Sequence, residues 1–379
     1  MTASIETSKK PNATEDMLPP RGETGIILWL RKNLFATPTD TVLTLFCMYI
    51  LYLFVPGFVE WSIIDAVWSA SGRVDCWEQM EEPNSAACWA FVSTRLQLLV
   101  YGFYPEEYIW RVNIAFVLFL LALVPVLWDN TPRRPLALLY SALFPFIATW
   151  LVFGGFGIEA VETKKIGGIA LTLLIGVTGI AFSLPIGIML ALGRTSKLPV
   201  LKMLSVIFIE FIRGVPLIAL LFIASTMLNY FLPPGTTFDL LVRVLIMVTF
   251  FASAYMAEVI RGGLAGIPKG QIEAAQASGL TYWKTTYLIV MPQVLKISIP
   301  GIVNTFIGLF KDTTLVLIIG MFDVLGMGRS SLADPNWNGL AREIYIFVAI
   351  FFFICCYGMS YYSAYLERKL DTENKFQKK

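Results

Sequence analysis

The sequence predicts an all-α polytopic membrane protein with about eight transmembrane helices. Of its 379 residues, 56% are hydrophobic and only 15% are charged, whereas soluble globular chains are about 45–50% apolar and about 25% charged. The apolar residues also come in long blocks, and a spanning helix needs about 20 of them in succession. The strand-like alternation that is typical of outer-membrane barrels is not found. These observations predict a helical protein of the lipid bilayer.

Eight segments of the chain are long and apolar enough to cross a bilayer. Proline or glycine interrupts several of them, which membrane helices tolerate where neighbouring groups satisfy the freed backbone. In chain order, the predicted spans cover residues 41–59, 112–128, 136–153, 168–193, 203–232, 240–257, 297–320 and 343–365.

The distribution of lysine and arginine predicts that both termini lie in the cytoplasm. With the N-terminus inside, the inner segments hold 19 of these residues and the outer segments hold 7. Segments rich in Lys and Arg stay on the cytoplasmic side of a membrane. Residues 1–40 are then expected to form a cytoplasmic tail with an interfacial helix, and residues 367–379 a second cytoplasmic tail.

A change in composition near residue 160 predicts a division into two parts. Three spans and an aromatic outer segment, residues 60–111, precede it, and five spans follow it. We therefore predict a three-span extension over residues 41–160 and a five-span core over residues 161–366. Tyr and Trp suit the membrane–water boundary. The outer segment is expected either to lie along the bilayer or to cover a docking face for a binding protein.

Composition excludes several kinds of site. The chain has no histidine, which excludes histidine-based catalysis and most zinc sites. Its five cysteines form no metal-ligand cluster, and a formal net charge of +2 indicates no nucleic-acid partner. We therefore expect no metal site and no catalytic residue. Cys76 and Cys88 lie in the outer segment, where oxidising conditions would favour a disulfide between them. Two free thiols are the alternative.

A short polar helix is predicted at Gln271–Gly279, inside the longest hydrophilic interval of the C-terminal half, residues 258–296. A proline before the helix and Gly279 after it are typical of helix boundaries. Glu273 supplies one charge, and the small alanines beside it leave room for another backbone. Taken alone, the pattern fits either an ordinary cytoplasmic loop helix or a docking helix for a partner.

The residues in and around this helix resemble the membrane-spanning subunits of bacterial ATP-binding-cassette (ABC) importers. Those proteins carry an EAA loop, in which Glu-Ala-Ala is followed by three residues and Gly, with a Pro downstream. The flanking Ala-Glu-x-x-Arg-Gly-Gly and Pro-Gln are similar to the polar amino acid branch of that family. The resemblance extends over about residues 160–370. The loop residues here are Glu273, Ala274, Ala275, Gly279 and Pro292.

Two aromatic runs before the core, Ala87–Phe91 and Tyr101–Pro105, resemble the extended permeases of general L-amino acid importers. Those proteins carry extra spans before the five-span core. The resemblance implies a permease of the bacterial inner membrane that moves polar or broad-range amino acids from periplasm to cytoplasm by alternating access. It would perform no covalent chemistry, so the chain is not expected to be an enzyme.

The resemblance also implies partners. In that family the EAA helix docks in a groove of a cytoplasmic ATPase. ATP and Mg²⁺ would bind that separate subunit, since this chain has no Gly-x-x-x-x-Gly-Lys-Ser/Thr loop. Expected partners are two ATPase subunits, a periplasmic amino-acid-binding protein and a second, similar permease that forms a heterodimer. A homodimer is the alternative assembly, and an ion-gradient-driven secondary transporter is the alternative function.

Two charged motifs are candidates for the substrate pathway, since charges inside a span are costly and often functional. Glu210 and Arg213, three residues apart, can pair on one helix face. Lys311, Asp312 and Thr313 offer a cation, a carboxylate and a hydroxyl to an amino acid. Adjacent residues diverge by about 100°, so at most one of these two charges would face a ligand. For both motifs, a purely structural charge is the alternative.

Overall fold

All the regular secondary-structure elements are helices in the part of the chain that the computed structural model describes, residues 25–128, 130–155, 157–227, 230 and 238–370. The predicted all-α class is therefore confirmed for these residues. In chain order, their helices are α1 (Ile26–Asn33), α2 (Pro38–Val59), α3 (Arg73–Glu78), α4 (Ala90–Thr94), α5 (Leu96–Tyr101), α6 (Ile109–Leu127), α7 (Arg134–Phe153), α8 (Gly168–Thr195), α9 (Pro199–Gly214), α10 (Leu217–Phe222), α11 (Leu240–Ala265), α12 (Lys269–Ala277), α13 (Tyr282–Thr285), α14 (Met291–Asp312), α15 (Val324–Ser331) and α16 (Ala341–Leu370).

The chain divides into two compact units. One unit holds the residues up to 66 together with 82–87, and the other holds residues 67–81 and all residues from 88 onward. The predicted division near residue 160 stays a prediction. Most of the two predicted cytoplasmic tails, residues 1–24 and 371–379, lies outside the described residues.

The first unit consists mainly of α1 and α2. Thr37 begins α2 with a capping box: its hydroxyl accepts from the N–H of Asp40, and the Asp40 carboxylate accepts from the N–H of Thr37, both at 3.1 Å. This arrangement satisfies backbone donors that the start of a helix leaves free. With a π-helical turn that extends it to Ile64, α2 is 27 residues long and apolar enough to cross a membrane.

Seven helical segments of the described residues could span a membrane, or eight if the bent pair α9 and α10 counts as one. This agrees with the eight predicted spans. The predicted span over residues 203–232, with its interruption at Pro216, corresponds in its described part to α9 and α10, which meet at 103°. The cause is Pro216, which disfavours the helical conformation at the residue before it. Val215 accordingly has φ −108° and ψ 131°.

Helix α11 lies at the centre of the second unit and packs against α8, α9 and α14. Glycines allow these helices to approach closely. A Cβ added to Gly187 of α8 would lie 2.6 Å from Met256 Cγ, and one added to Gly301 of α14 would lie 2.7 Å from Val259 Cγ1. Close backbone approach through small residues is a common way to pack membrane helices. The charged residues of α8, α9 and α11 are thereby held together.

The part of the aromatic outer segment that belongs to the second unit, residues 67–81 and 88–111, folds onto the loop before α16. The backbone N–H of Arg73 donates to the carbonyl of Asn336 at 2.7 Å, and its guanidinium donates to the carbonyl of Asn338 at 3.0 Å. The rings of Phe91 and Trp337 stack with their centroids 5.4 Å apart. Both rings are buried in an apolar cluster that also includes residues of α15 and α16.

Covalent and polar contacts reinforce this packing. Cys76 and Cys88, which are 12 positions apart in the sequence, form a disulfide. The N–H of Cys88 donates to the buried carboxylate of Glu343 at 3.1 Å, which connects the disulfide to the first turn of α16. Arg95 forms an ion pair with Asp334 of the same loop. We call residues 67–81, 88–111 and 323–343 the disulfide end of the second unit.

Candidate functional site

Helix α12 joins two membrane-spanning helices and presents one face outward. Ile272 packs against the apolar cluster beneath it, and Ala275 is buried with 3% of its surface exposed. Glu273, Ala274 and Ala277 are exposed. The inward residues therefore hold the helix in place, while a charge and two small side chains remain accessible. A surface of this kind allows a second backbone to come close.

Gly279 stops α12 in a Schellman turn. The N–H of Leu280 donates to the carbonyl of Ala275 at 3.1 Å, and the N–H of Gly279 donates to the carbonyl of Gln276 at 2.9 Å. Gly279 has a φ of +75°, in the left-handed region that favours glycine. An added Cβ would meet no atom within 4 Å. The requirement for glycine is therefore conformational and leaves the surrounding space open.

The chain continues from this turn into one long helical segment, Tyr282–Ile319. It comprises α13, a π-helical turn over Thr286–Val290, and α14. Pro292 lies in the first turn of α14 and is exposed. Because α14 follows the π-helical turn without a break, Pro292 removes one backbone hydrogen bond from a continuous helical segment. The EAA residues thus lie on α12, on its closing turn and at the start of α14.

A network of five charged residues connects three helices near α12. Its centre is Glu258 of α11, whose carboxylate lies 3.2 Å from Arg194 Nη1, 3.6 Å from Arg213 Nη1 and 2.9 Å from Arg261 Nη2. Arg194 of α8 also contacts Glu210 of α9 at 2.7 Å. With α12, these residues form what we call the α12 end of the second unit.

The network changes the interpretation of Glu210 and Arg213. We expected these two residues to pair with each other on one helix face, but each pairs with another helix. Arg194 and Glu258 reach them because α8, α9 and α11 pack together. The side chain of Glu258 is 16% exposed and that of Glu210 is 55% exposed. Solvent screens the pair at Glu210 more, so Glu258 contributes more to the stability of the network.

The residues at the far end of α14 differ in accessibility. Thr313 is fully buried, and its hydroxyl donates to the carbonyl of Phe310 at 2.7 Å. This bond occupies the hydroxyl hydrogen and leaves the oxygen able to accept a hydrogen bond, so the role of Thr313 in the substrate pathway stays a prediction. Lys311 is exposed, and Asp312 is half-buried. Lys311, Asp312 and Thr313 all stay predicted residues of the pathway, and Lys311 is the most accessible of the three.

The two candidate pathway motifs lie at different levels of the bundle. Ser298 of α14 is at the level of Glu258, since its hydroxyl lies 3.5 Å from the carbonyl of Val259. Lys311 follows 13 residues later on the same helix, which corresponds to about 20 Å. The structure therefore brings Glu210 and Arg213 into one network and leaves Lys311 and Asp312 at a separate level.

Two aspartates that were not predicted as site residues cap the N-termini of helices. Asp323 is fully buried, and its carboxylate accepts from the N–H of Gly326 at 2.9 Å and of Leu325 at 3.2 Å. Burial raises its pKa to about 6, although the two N–H groups oppose the shift. Asp239 caps α11 through the N–H of Leu241 at 2.8 Å. An Asp directly before an apolar run is the signal that could have identified both caps.

Residues 183–372 match the family model described as "Binding-protein-dependent transport system inner membrane component". This range is half of the chain, and it contains α12, its closing turn and the whole charge network. No group of side chains suited to a metal ion occurs among the described residues.

Curated relatives extend the similarity over almost the whole chain. The inner membrane amino-acid ABC transporter permease protein YhdY of Escherichia coli is 45% identical over 348 residues, which are 91% of this chain and 93% of the relative. The glutamate/glutamine/aspartate/asparagine transport system permease protein BztC of Rhodobacter capsulatus is 42% identical, with 95% of this chain and 98% of the relative covered.

A shorter relative corresponds to about half of the chain. The probable glutamine ABC transporter permease protein GlnP of Bacillus subtilis is 33% identical over 202 residues, which are 53% of this chain and 90% of the relative. The family description and the names of these relatives agree with a protein that spans a membrane. The chain belongs to the family of binding-protein-dependent transport system inner membrane components.

Proposed function

We propose that this chain is the permease subunit of an ATP-driven importer of amino acids, and that α12 transmits the work of a separate ATPase to the membrane helices. The observation that carries the proposal is the presentation of α12. Glu273, Ala274 and Ala277 face outward from a short helix whose other face is anchored between two spans. The amino acid cargo is supported by the names of the two long relatives.

The contacts of α12 suggest how a force would reach the membrane helices. The chain enters α12 directly from α11 and leaves it through the turn at Gly279 into the segment Tyr282–Ile319. A displacement of α12 would therefore move α14 through the backbone. It would also move Glu258 and its three arginine partners, because α11 carries Glu258. Alternating access would follow from the rearrangement of α8, α9, α11 and α14 against a second subunit.

The two charged motifs receive different proposed roles. Glu210 and Arg213 hold helices together at the α12 end, so they would break and re-form pairs as the pathway opens to the cytoplasm. Lys311 and Asp312 lie about 20 Å further along α14. Lys311 offers a cation to the carboxylate of an amino acid, or Asp312 offers an anion to its ammonium group. Replacing either with a neutral residue should lower uptake without preventing assembly.

The proposed complex contains three kinds of partner, and this chain has a definite orientation in it. One ATPase subunit would bind at the exposed face of α12, and a second would bind at the corresponding helix of the other permease. ATP and Mg²⁺ would bind to the ATPase subunits. A second, similar but non-identical permease would form the pathway with this chain, and a periplasmic binding protein would deliver the amino acid to the disulfide end. Both termini would be cytoplasmic. Purification through an affinity tag on this chain should recover a second permease of different mass, whereas a single permease species would support the homodimer.

Uptake by the reconstituted complex separates this proposal from a transporter driven by an ion gradient. Proteoliposomes containing the permeases, the ATPase and the binding protein should take up a labelled amino acid only with ATP and Mg²⁺. Collapse of the sodium and proton gradients should leave the initial rate unchanged. Uptake that follows a sodium or proton gradient and ignores ATP would contradict the proposal and favour a secondary transporter.

A further inference from the structure

A cavity of about 620 Å³ lies beside α12, between α8, α9, α11 and α13. Its lining combines apolar side chains with three cations, three threonines and a glutamine, and it includes no acidic residue. Ile272 and Gln276 of α12 line it, whereas Glu273, Ala274 and Ala277 of the proposed ATPase-docking face do not. The polar side chains that line it are Arg194, Thr195, Lys202, Arg261, Gln276, Thr285 and Thr286.

The charge around the cavity is positive even after the ion pairs are counted. Arg194 and Arg261 share the carboxylate of Glu258. Lys202 has no ion pair with any described residue, and its side chain is exposed. Counted with the adjacent network, four cations stand against two carboxylates. These groups are Arg194, Lys202, Arg213, Arg261, Glu210 and Glu258.

One threonine of the cavity lining has a hydroxyl without a partner. Thr285 is 5% exposed, and its Oγ1 forms no hydrogen bond with the described residues. An unpaired buried hydroxyl is unfavourable. Its oxygen is closed to solvent in this arrangement, so a ligand in the cavity would reach it through a rotation of the Thr285 side chain. A phosphate oxygen would then accept from it, and it would also match the positive charge.

The rim of the cavity indicates a ligand from the membrane. Tyr282 lines the cavity and is 61% exposed, and Trp283 and Tyr287 beside it are 71% and 77% exposed. Tyrosine and tryptophan concentrate at the level of lipid headgroups. Basic pockets between membrane helices on the cytoplasmic side suit anionic headgroups. We propose that this cavity binds the phosphate of an anionic phospholipid of the cytoplasmic leaflet.

The lipid site is separate from the proposed transport function. It rests on that proposal in one respect only, the orientation of the α12 end toward the cytoplasm. Bound lipid would contact residues of α8, α9, α11, α12 and α13 at once, and those helices are the ones that the proposed ATPase stroke moves. Anionic lipid would therefore stabilise one arrangement of these helices. The first question is whether the lipid binds at this position.

Native mass spectrometry of the full-length chain in detergent tests the site. The probes are short-chain phosphatidylglycerol, short-chain phosphatidylcholine and inorganic phosphate. Phosphatidylglycerol should bind more tightly than phosphatidylcholine. Lys202→Gln should weaken its binding about fivefold, because one cation near an anionic headgroup contributes about 1 kcal/mol. Lys197→Gln, which removes an exposed lysine that does not line the cavity, should leave binding unchanged.

Thr285→Val provides an independent variant. It should weaken phosphatidylglycerol binding by a factor of at least about 10, since it removes one hydrogen bond to a charged group. Its unfolding temperature without lipid should equal that of the native chain or exceed it, because the replaced hydroxyl has no partner. A lower unfolding temperature would show that Thr285 has a structural partner and would contradict the role assigned to its hydroxyl.

Three further results would overturn the proposal. Equal binding of phosphatidylglycerol and phosphatidylcholine, with no effect of Lys202→Gln, would exclude an anionic-lipid site. Inorganic phosphate that binds as tightly as phosphatidylglycerol, with the same response to Lys202→Gln, would assign the cavity to a soluble phosphate. Release of the lipid when the ATPase subunits are added would assign the cavity to the protein partner. None of these results depends on whether the complex transports amino acids.

Discussion

The two ends of the second unit are stabilised by different interactions. At the α12 end, ion pairs between partly exposed side chains connect α8, α9 and α11, and Glu258 is shared by three arginines. At the disulfide end, the bond between Cys76 and Cys88, a buried ring pair and buried capping groups hold the segment. α8 extends between the two ends and is 28 residues long, which corresponds to about 40 Å.

This difference indicates which end can rearrange. A carboxylate shared by several arginines can exchange one partner for another at little net cost, because the charges stay paired. A disulfide and a fully buried acid cannot exchange partners in this way. We infer that the disulfide end is the fixed frame of the unit and that the α12 end changes during transport. Four predictions test this comparison, in order of expected effect.

The largest effect is expected from Glu258→Ala. It leaves three arginines together without their shared carboxylate, and three partly exposed ion pairs at up to about 1 kcal/mol each amount to about 3 kcal/mol. The unfolding temperature of the purified chain in detergent should fall accordingly. Glu210→Ala is the matched control, because its carboxylate is 55% exposed and should contribute less than about 1 kcal/mol. Equal losses in the two variants would contradict the central place of Glu258.

Removal of the disulfide should affect the other end by a similar amount. Its loop spans 12 positions, and closing a loop of this length stabilises a fold by about 3 kcal/mol. Cys76→Ala should lower the unfolding temperature, and a reducing agent should not lower it further. Cys47→Ala removes a free thiol and should have little effect. A native unfolding temperature in Cys76→Ala would show that the apolar packing alone holds the segment.

Asp323 should make the stability of the disulfide end depend on pH. Its pKa is raised from 3.8 to about 6 in the folded chain, because burial disfavours the charged form. The neutral carboxyl of Asp323 therefore contributes its full stabilisation of the fold below about pH 4, and this stabilisation is lost as the pH rises through about 6. The difference in free energy of unfolding between the native chain and Asp323→Asn should fall by at most about 3 kcal/mol between about pH 4 and pH 6. Unfolding measured from pH 4 to pH 7 checks this, and a constant difference would contradict it.

The smallest effect on stability is expected at Gly279. A φ of +75° costs a residue with a Cβ about 1 kcal/mol, so Gly279→Ala should loosen the end of α12. Amide exchange of the helix should become about fivefold faster. Gly270→Ala is the matched control, because that glycine lies within α12 and an added Cβ meets no atom. Alanine favours a helix there, so exchange should slow. Equal exchange in the two variants would argue against the strain at Gly279.

The sequence predicts the spans because their signal is local. A membrane helix is recognised from about 20 successive apolar residues, and seven or eight such segments are found in the structure. The end of α12 is predictable for the same reason, since Gly279 is a glycine directly after a helical pattern. The break between α9 and α10 is encoded in Val215 and Pro216, but the proline alone does not fix an angle of 103°.

Contacts between distant residues could not be predicted from one sequence. Arg73 binds Asn336 and Asn338 across more than 260 positions, and no local pattern marks that pairing. The same holds for the charge network, in which Glu210 pairs with Arg194 and not with its neighbour on α9. Thr313 shows the opposite case, a polar residue with a local partner. Its hydroxyl suits a ligand by residue type, yet it forms a local backbone bond.

The central claim is that α12 connects an ATPase to the membrane helices, and the ratio of amino acid imported to ATP hydrolysed tests it most directly. The measurement compares native, Glu273→Ala and Glu162→Ala complexes in proteoliposomes, where Glu162 is an exposed acid outside α12. We expect this ratio to fall at least about tenfold in Glu273→Ala, which corresponds to about 1.4 kcal/mol of lost coupling, and to stay native in Glu162→Ala. A native ratio in Glu273→Ala, with ATPase subunits still bound, would contradict the account.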